Sequence, residues 1–147
     1  MRLVVFDRGR AVDERMFKER TKQLALRVVR LVEALPKRTS ASVIGKQLLR
    51  YTASVGANYR AACRGRSTAD VVAKLAIVEE EADEALYWME LLVESGIVPG
   101  EKLKDLMAEP NEIVAMAVAS IKTLRARQRQ PANPKFKMRN RQCSNTS

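Results

Sequence analysis

The chain has 147 residues, 46% of them hydrophobic, and a formal net charge of +10, enough for one compact domain with one core. Gly and Pro are scarce beside Ala, Leu, Val, Lys, Arg and Glu, which favours helix over sheet. No apolar run approaches the ~18 residues that span a bilayer, and Met1 to Phe6 is too short for a secretory signal, so no membrane association and a cytoplasmic location are expected.

Residues 1–12 read as a flexible arm with a short apolar run and Gly9. Asp13 can cap a first helix reaching about Leu35 and stopped by Pro36. Phe17, Leu24, Val28, Leu31, Val32 and Leu35 recur at steps of three and four, making one buried stripe. A second helix begins at Ser40 or Ser42 and carries Ile44, Leu48, Tyr51, Val55, Tyr59 and Ala62 on its core face. It breaks around Arg64 to Arg66, beside Gly65. Ser67 with Asp70 three residues on resembles a capping box for the third helix, which runs through Val71, Leu75, Val78, Ala82, Leu86, Met89 and Val93 to an αL stop at Gly96.

The fourth segment runs from near Pro99 to near Arg129, with Leu103, Leu106, Ile113, Ala117, Ile121 and Leu124 on its apolar face. Pro110 predicts a kinked or broken rod there, with Asn111 as the alternative cap of a separate long helix. Prolines, polar residues and like charges make residues 130–147 a basic, disordered tail. Short loops between four helices imply antiparallel neighbours. The expected fold is therefore all-α, an up-and-down antiparallel four-helix bundle over residues 13–129.

Charge is strongly segregated along the chain. Residues 13–66 sum to +9, residues 67–121 to −9, and residues 122–147 to +8 with no acidic residue. Such polarity suits either a nucleic-acid surface or complementary faces that meet in an assembly.

At about 100° per residue, Gln47, Arg50, Ser54, Asn58, Ala61 and Gly65 form one narrow strip beside the apolar face of the second helix. Polar groups at a core margin need partners, and Glu79 on the acidic third helix is the candidate for Arg50. Such a strip serves helix-to-helix register first. The same residues, with Arg66, Ser67, Lys74, Leu75 and Glu79 to Glu81, resemble the bacterial four-helix-bundle family named for proteins encoded in intervening sequences of 23S ribosomal RNA genes. The resemblance covers about residues 13–128, and Pro110 and the basic tail depart from its pattern. It implies the bundle fold. Through a related accessory protein of diversity-generating retroelements, it also implies a pentamer that associates with nucleic acid and a reverse transcriptase.

Between Ala85 and Val93 only Glu90 is charged, so apolar residues wrap most of the third helix. Tyr87, Trp88 and Leu91 project off the core stripe. They either cover the bundle's edge or form a subunit contact, and the family's pentamer favours a homo-oligomer interface.

Arg60, Arg64 and Arg66 cluster at the end of the second helix, where guanidinium groups can hold phosphates bidentately. Lys18, Lys22, Arg27 and Arg30 add charge on the first helix. Arg125, Arg127, Arg129, Lys135, Lys137, Arg139 and Arg141 resemble an arm for an RNA or DNA backbone. Aromatic residues for base stacking are few, so sequence-specific readout is not expected.

Without histidine, no His-based triad or Glu-x-x-His di-iron site can form, and no Walker loop or dinucleotide fingerprint is present. Cys63 and Cys143 stand apart, as plain thiols. No catalysis, metal or cofactor is expected. Two functions remain: a nucleic-acid-binding accessory protein, or an interaction module whose charge polarity drives assembly only.

Overall fold

The computed structural model describes the backbone of residues 5–7 and 10–130, and the side chains of residues 13–130. Four helices follow one another: α1 (Glu14–Ala34), α2 (Thr39–Cys63), α3 (Thr68–Glu94) and α4 (Gly100–Arg129). Within the arm, β1 (Val5–Asp7) and β2 (Arg10–Val12) pair antiparallel, with Val5 opposite Val12, and β1 lies against α4.

Asp13 caps α1 by accepting from the Arg15 backbone N–H at 3.1 Å. α2 starts at Thr39, and neither Ser40 nor Ser42 caps it. The Arg38 N–H turns back to the Pro36 carbonyl at 2.9 Å, which brings the chain into helix one residue earlier. Ser67 Oγ accepts from the Asp70 N–H at 3.1 Å, while the Asp70 carboxylate accepts from the Arg66 N–H. The capping box is thus displaced by one residue from its usual reciprocal pair.

At the end of α3, Gly96 has φ +75. The Ile97 N–H reaches the Leu92 carbonyl and the Gly96 N–H reaches that of Val93. This is a Schellman stop, and it needs a residue that tolerates the left-handed region. Gly65 has a different reason to be glycine. A Cβ there would sit 2.4 Å from Val71 Cγ2, because the first turn of α3 packs directly on the α2–α3 connection.

α4 continues unbroken through the buried Pro110, so of the kinked or broken rod expected there the break does not occur. Proline forfeits one backbone hydrogen bond, and packing of the flanking Leu106 and Ile113 in the core holds the helix across that gap. Asn111 caps no new helix, and its side-chain amide donates to the Met107 carbonyl at 3.4 Å.

Cross-helix contacts establish the direction of each element. Gly45 lies against Val32 and Leu35, Gly56 against Thr21, Gly100 against Val93, and Asn58 bonds Glu81. Each helix therefore runs antiparallel to the next. One core joins them: Phe17, Leu24 and Val28 from α1, Leu48, Val55 and Tyr59 from α2, Leu75, Val78 and Met89 from α3, and Ile113 and Met116 from α4. Leu31, Val32, Leu35, Ile44 and Tyr51 are half-buried around it.

Buried hydroxyls are satisfied locally. Thr52 donates to the Leu48 carbonyl at 2.9 Å, and Ser120 to that of Met116 at 2.8 Å. Tyr59 is the exception. Its ring meets Phe17 edge-on at 4.2 Å, while its hydroxyl is buried without a hydrogen-bond partner among the described residues. Among those residues, no helix is long and apolar enough to cross a membrane.

Candidate nucleic-acid interface

Arg15, Lys18, Lys22 and Ala25 follow one another at steps of three and four, so they lie on one stripe of α1. Arg60 and Arg64 are one turn apart at the end of α2. Because α1 and α2 are antiparallel, the start of one lies beside the end of the other. The two stripes meet across a groove of about 500 Å³ lined by Arg15, Lys18, Lys22, Arg60 and Arg64, with Glu19 as its one acidic residue among the described residues. Thr21, Ala25, Ala53, Gly56 and Ala57 form its floor.

Not every cation here is equally available. Lys18 Nζ is 2.8 Å from the Glu14 carboxylate, which holds the ammonium above the ordinary lysine pKa. Among the described residues, no carboxylate pairs with Arg15, Lys22, Arg60 or Arg64. Glu19 is partly occupied, accepting from the Gln23 amide at 2.9 Å. Four strongly basic groups therefore face one concave strip with little to neutralise them.

The remaining basic residues distribute differently. Arg66 stays exposed in the α2–α3 turn, outside the groove. Arg27 lies half a turn round α1 from Lys18, and Arg30 a third of a turn, so neither reaches this site. Arg125, Arg127 and Arg129 are exposed on the last turns of α4. They share the end of the bundle where α1 begins and α2 finishes, without lining the groove. Lys135, Lys137, Arg139 and Arg141 lie outside the described residues.

Arg15 went unnoticed in the sequence, although its spacing to Lys18 and Lys22 carried the signal. Arg20 was missed for a different reason. Its guanidinium reaches across to α4, donating to Glu109 through Nε at 2.9 Å and Nη2 at 3.2 Å, and also to Glu112. Nη1 lies 3.6 Å from the Met116 sulfur. Arg20 is thus a structural cation that ties α1 to α4, distinct from the groove residues only a turn away.

The polar strip on α2 does meet α3, but through other residues than expected. Asn58 Nδ2 donates to Glu81 at 3.0 Å. Burial pushes the Glu81 carboxyl pKa up, opposed by that amide. No ion pair joins Arg50 to Glu79 among the described residues, and the Arg50 guanidinium sits 5.7 Å from the Tyr51 ring centre. Glu79 is turned about 200° from Glu81, so the two cannot share the α2-facing side. Gln47 and Ser54 are half-buried along the same seam.

On α3, Tyr87 is 53% exposed and meets Trp88 edge-on at 5.4 Å. Trp88 packs against the core's margin and Leu91 is half-buried. Of this trio, Tyr87 alone stands well into solvent. Cys63 is half-buried next to the start of α1, and desolvation pushes its thiol up to about 11.

Comparison with known proteins places this geometry. No match was found among curated proteins. A crystal structure of a protein of unknown function from the S23 ribosomal protein family of Bacteroides thetaiotaomicron is similar at 33% identity and TM-score 0.69. The match covers 74% of this chain and 97% of that one. Residues 14–119, from the first residue of α1 deep into α4, match the 23S rRNA-intervening sequence protein model, and the chain belongs to that family.

Proposed function

We propose that this protein is a non-catalytic, oligomeric helical bundle that binds the backbone of RNA or DNA, as an accessory to a ribosomal-RNA or reverse-transcriptase system. The observation that carries the reading is the α1–α2 groove, where Arg15, Lys22, Arg60 and Arg64 have no carboxylate partner among the described residues while nearby Arg20 is fully engaged. Structural cations in a bundle are expected to be paired across helices, as Arg20 is. A cluster left unpaired around a concave surface is suited to phosphates.

Backbone binding releases counterions, so log K should fall linearly with log salt, by about 0.7–0.9 per phosphate neutralised. Fluorescence anisotropy with labelled oligonucleotides across a salt series measures this. Deleting residues 131–147 removes Lys135, Lys137, Arg139 and Arg141, all of which follow the end of α4 at Arg129 in the sequence. Affinity and slope should both fall while the melting temperature holds. Absence of binding to any RNA or DNA at low salt defeats the proposal. The charge segregation would then be explained by assembly alone.

Self-association is supported separately by Tyr87, a large exposed aromatic on an otherwise apolar stretch of α3. Tyr87→Glu should lower the oligomer mass in light scattering without changing the helical spectrum, since the side chain lies outside the core. An unchanged mass removes this face as the interface.

A further inference from the structure

Building on the nucleic-acid reading, we infer that the α1–α2 groove takes a single strand, backbone inward, and discriminates against duplex. Three observations support this. The first is the shape of the floor. Ala25, Ala53, Gly56 and Ala57 present little or no side chain, so the groove between the two helices stays open to about 500 Å³. Two helices packed about 8–10 Å apart touch along their length, so a strand can lie along the surface furrow between them while a double helix, broader than that furrow, rests on its rim.

The second is where the charges sit. Arg15, Lys22, Arg60 and Arg64 line both walls of the groove, from α1 on one side and α2 on the other. A strand lying in the groove is reached from both helices at once. A duplex is stiff over ~150 base pairs and cannot bend into a slot bounded by a few helical turns, so only a ridge of phosphates would graze the rim. The cations on the far wall would stay out of its reach.

The third is the chemistry of the lining, which contains no aromatic residue among the described residues. Without a ring on which to stack, bases gain nothing from entering the groove, and they face solvent. The lining therefore reads backbone and not base sequence, and any preference for strand type comes from the groove's shape and the placing of its charges. RNA and DNA single strands share the backbone chemistry it recognises.

The test fills the floor without touching the charge. Ala53 and Ala57 are both exposed positions of α2, and leucine is a good helix former, so Ala53→Leu with Ala57→Leu leaves helix and core intact. Anisotropy would compare a labelled 20-nucleotide single strand with the same sequence as a duplex, for wild type and variant at one low salt concentration. Circular dichroism would verify the fold. Wild type should favour the single strand at least tenfold, and the variant should lose most of that preference while duplex binding stays unchanged. Equal wild-type affinity for both forms, or a preference that survives filling, overturns the groove assignment while leaving nucleic-acid binding in place. Binding to neither form defeats both readings together.

Discussion

Arg20→Ala is expected to lower stability by about 2 kcal/mol, which is large for a residue outside the apolar core. The guanidinium bridges Glu109 and Glu112 on α4, and its side chain is 27% exposed beside carboxylates at 24% and 37%. Removing it leaves two like charges close together in a partly dehydrated seam. A fully buried pair broken in this way costs about 3–5 kcal/mol, and the remaining solvent access reduces that figure. Urea denaturation measures the loss as a lower midpoint with an unchanged slope. Adding Glu109→Gln and Glu112→Gln to Arg20→Ala should recover much of it, because the repulsion disappears with the charges. A single variant within ~0.5 kcal/mol of wild type would show that the cluster contributes nothing to the fold. The nucleic-acid affinity of a folded Arg20 variant should be unaffected, since this cation is not in the groove.

Arg60→Gln combined with Arg64→Gln is expected to weaken nucleic-acid binding about a hundredfold at low salt. Hydrogen bonds to charged groups contribute about 1.5–3 kcal/mol each, and two such bonds account for a loss of this size. Both side chains are exposed at the end of α2, so the substitutions disturb no core packing. Glutamine also avoids placing a negative charge at a helix C-terminus. The salt slope should decrease by about 0.7 for each single-strand phosphate that is no longer neutralised. Preference between base sequences should stay constant, because binding to phosphates carries no base identity. Unchanged affinity across the salt series would remove these two arginines from the interface.

Much of the architecture was legible before any coordinate. The Asp13 and Ser67 caps, the Pro36 stop, the Gly96 turn and the three- and four-residue apolar steps are local signals, each written within a turn or two of chain. They determine where helices begin and end and which side of each is apolar. Even there, local patterning had limits. α3 is apolar around most of its circumference after Ala85, so periodicity could not separate the fully buried Leu92 from its half-buried neighbour Leu91. At Pro110, the local rule allowed a break that does not occur, since core packing carries one helix through.

What only the tertiary structure decided is which residues of different helices meet. Helix pairing fixes a rotation and an offset for each element, and neither is encoded in one helix's own periodicity. Glu79 and Glu81 both border the apolar stripe of α3, yet only Glu81 is turned toward Asn58. Arg15, Lys18, Arg20 and Lys22 are equally basic in the sequence. Packing directs Arg20 toward the α4 carboxylates and the other three toward a groove shared with α2. Sequence by itself determined an all-helical bundle with a basic half and an acidic half. Only packing decided which cations are neutralised within the fold and which are left facing outward, because an ion pair between helices depends on angles and offsets a few ångströms wide.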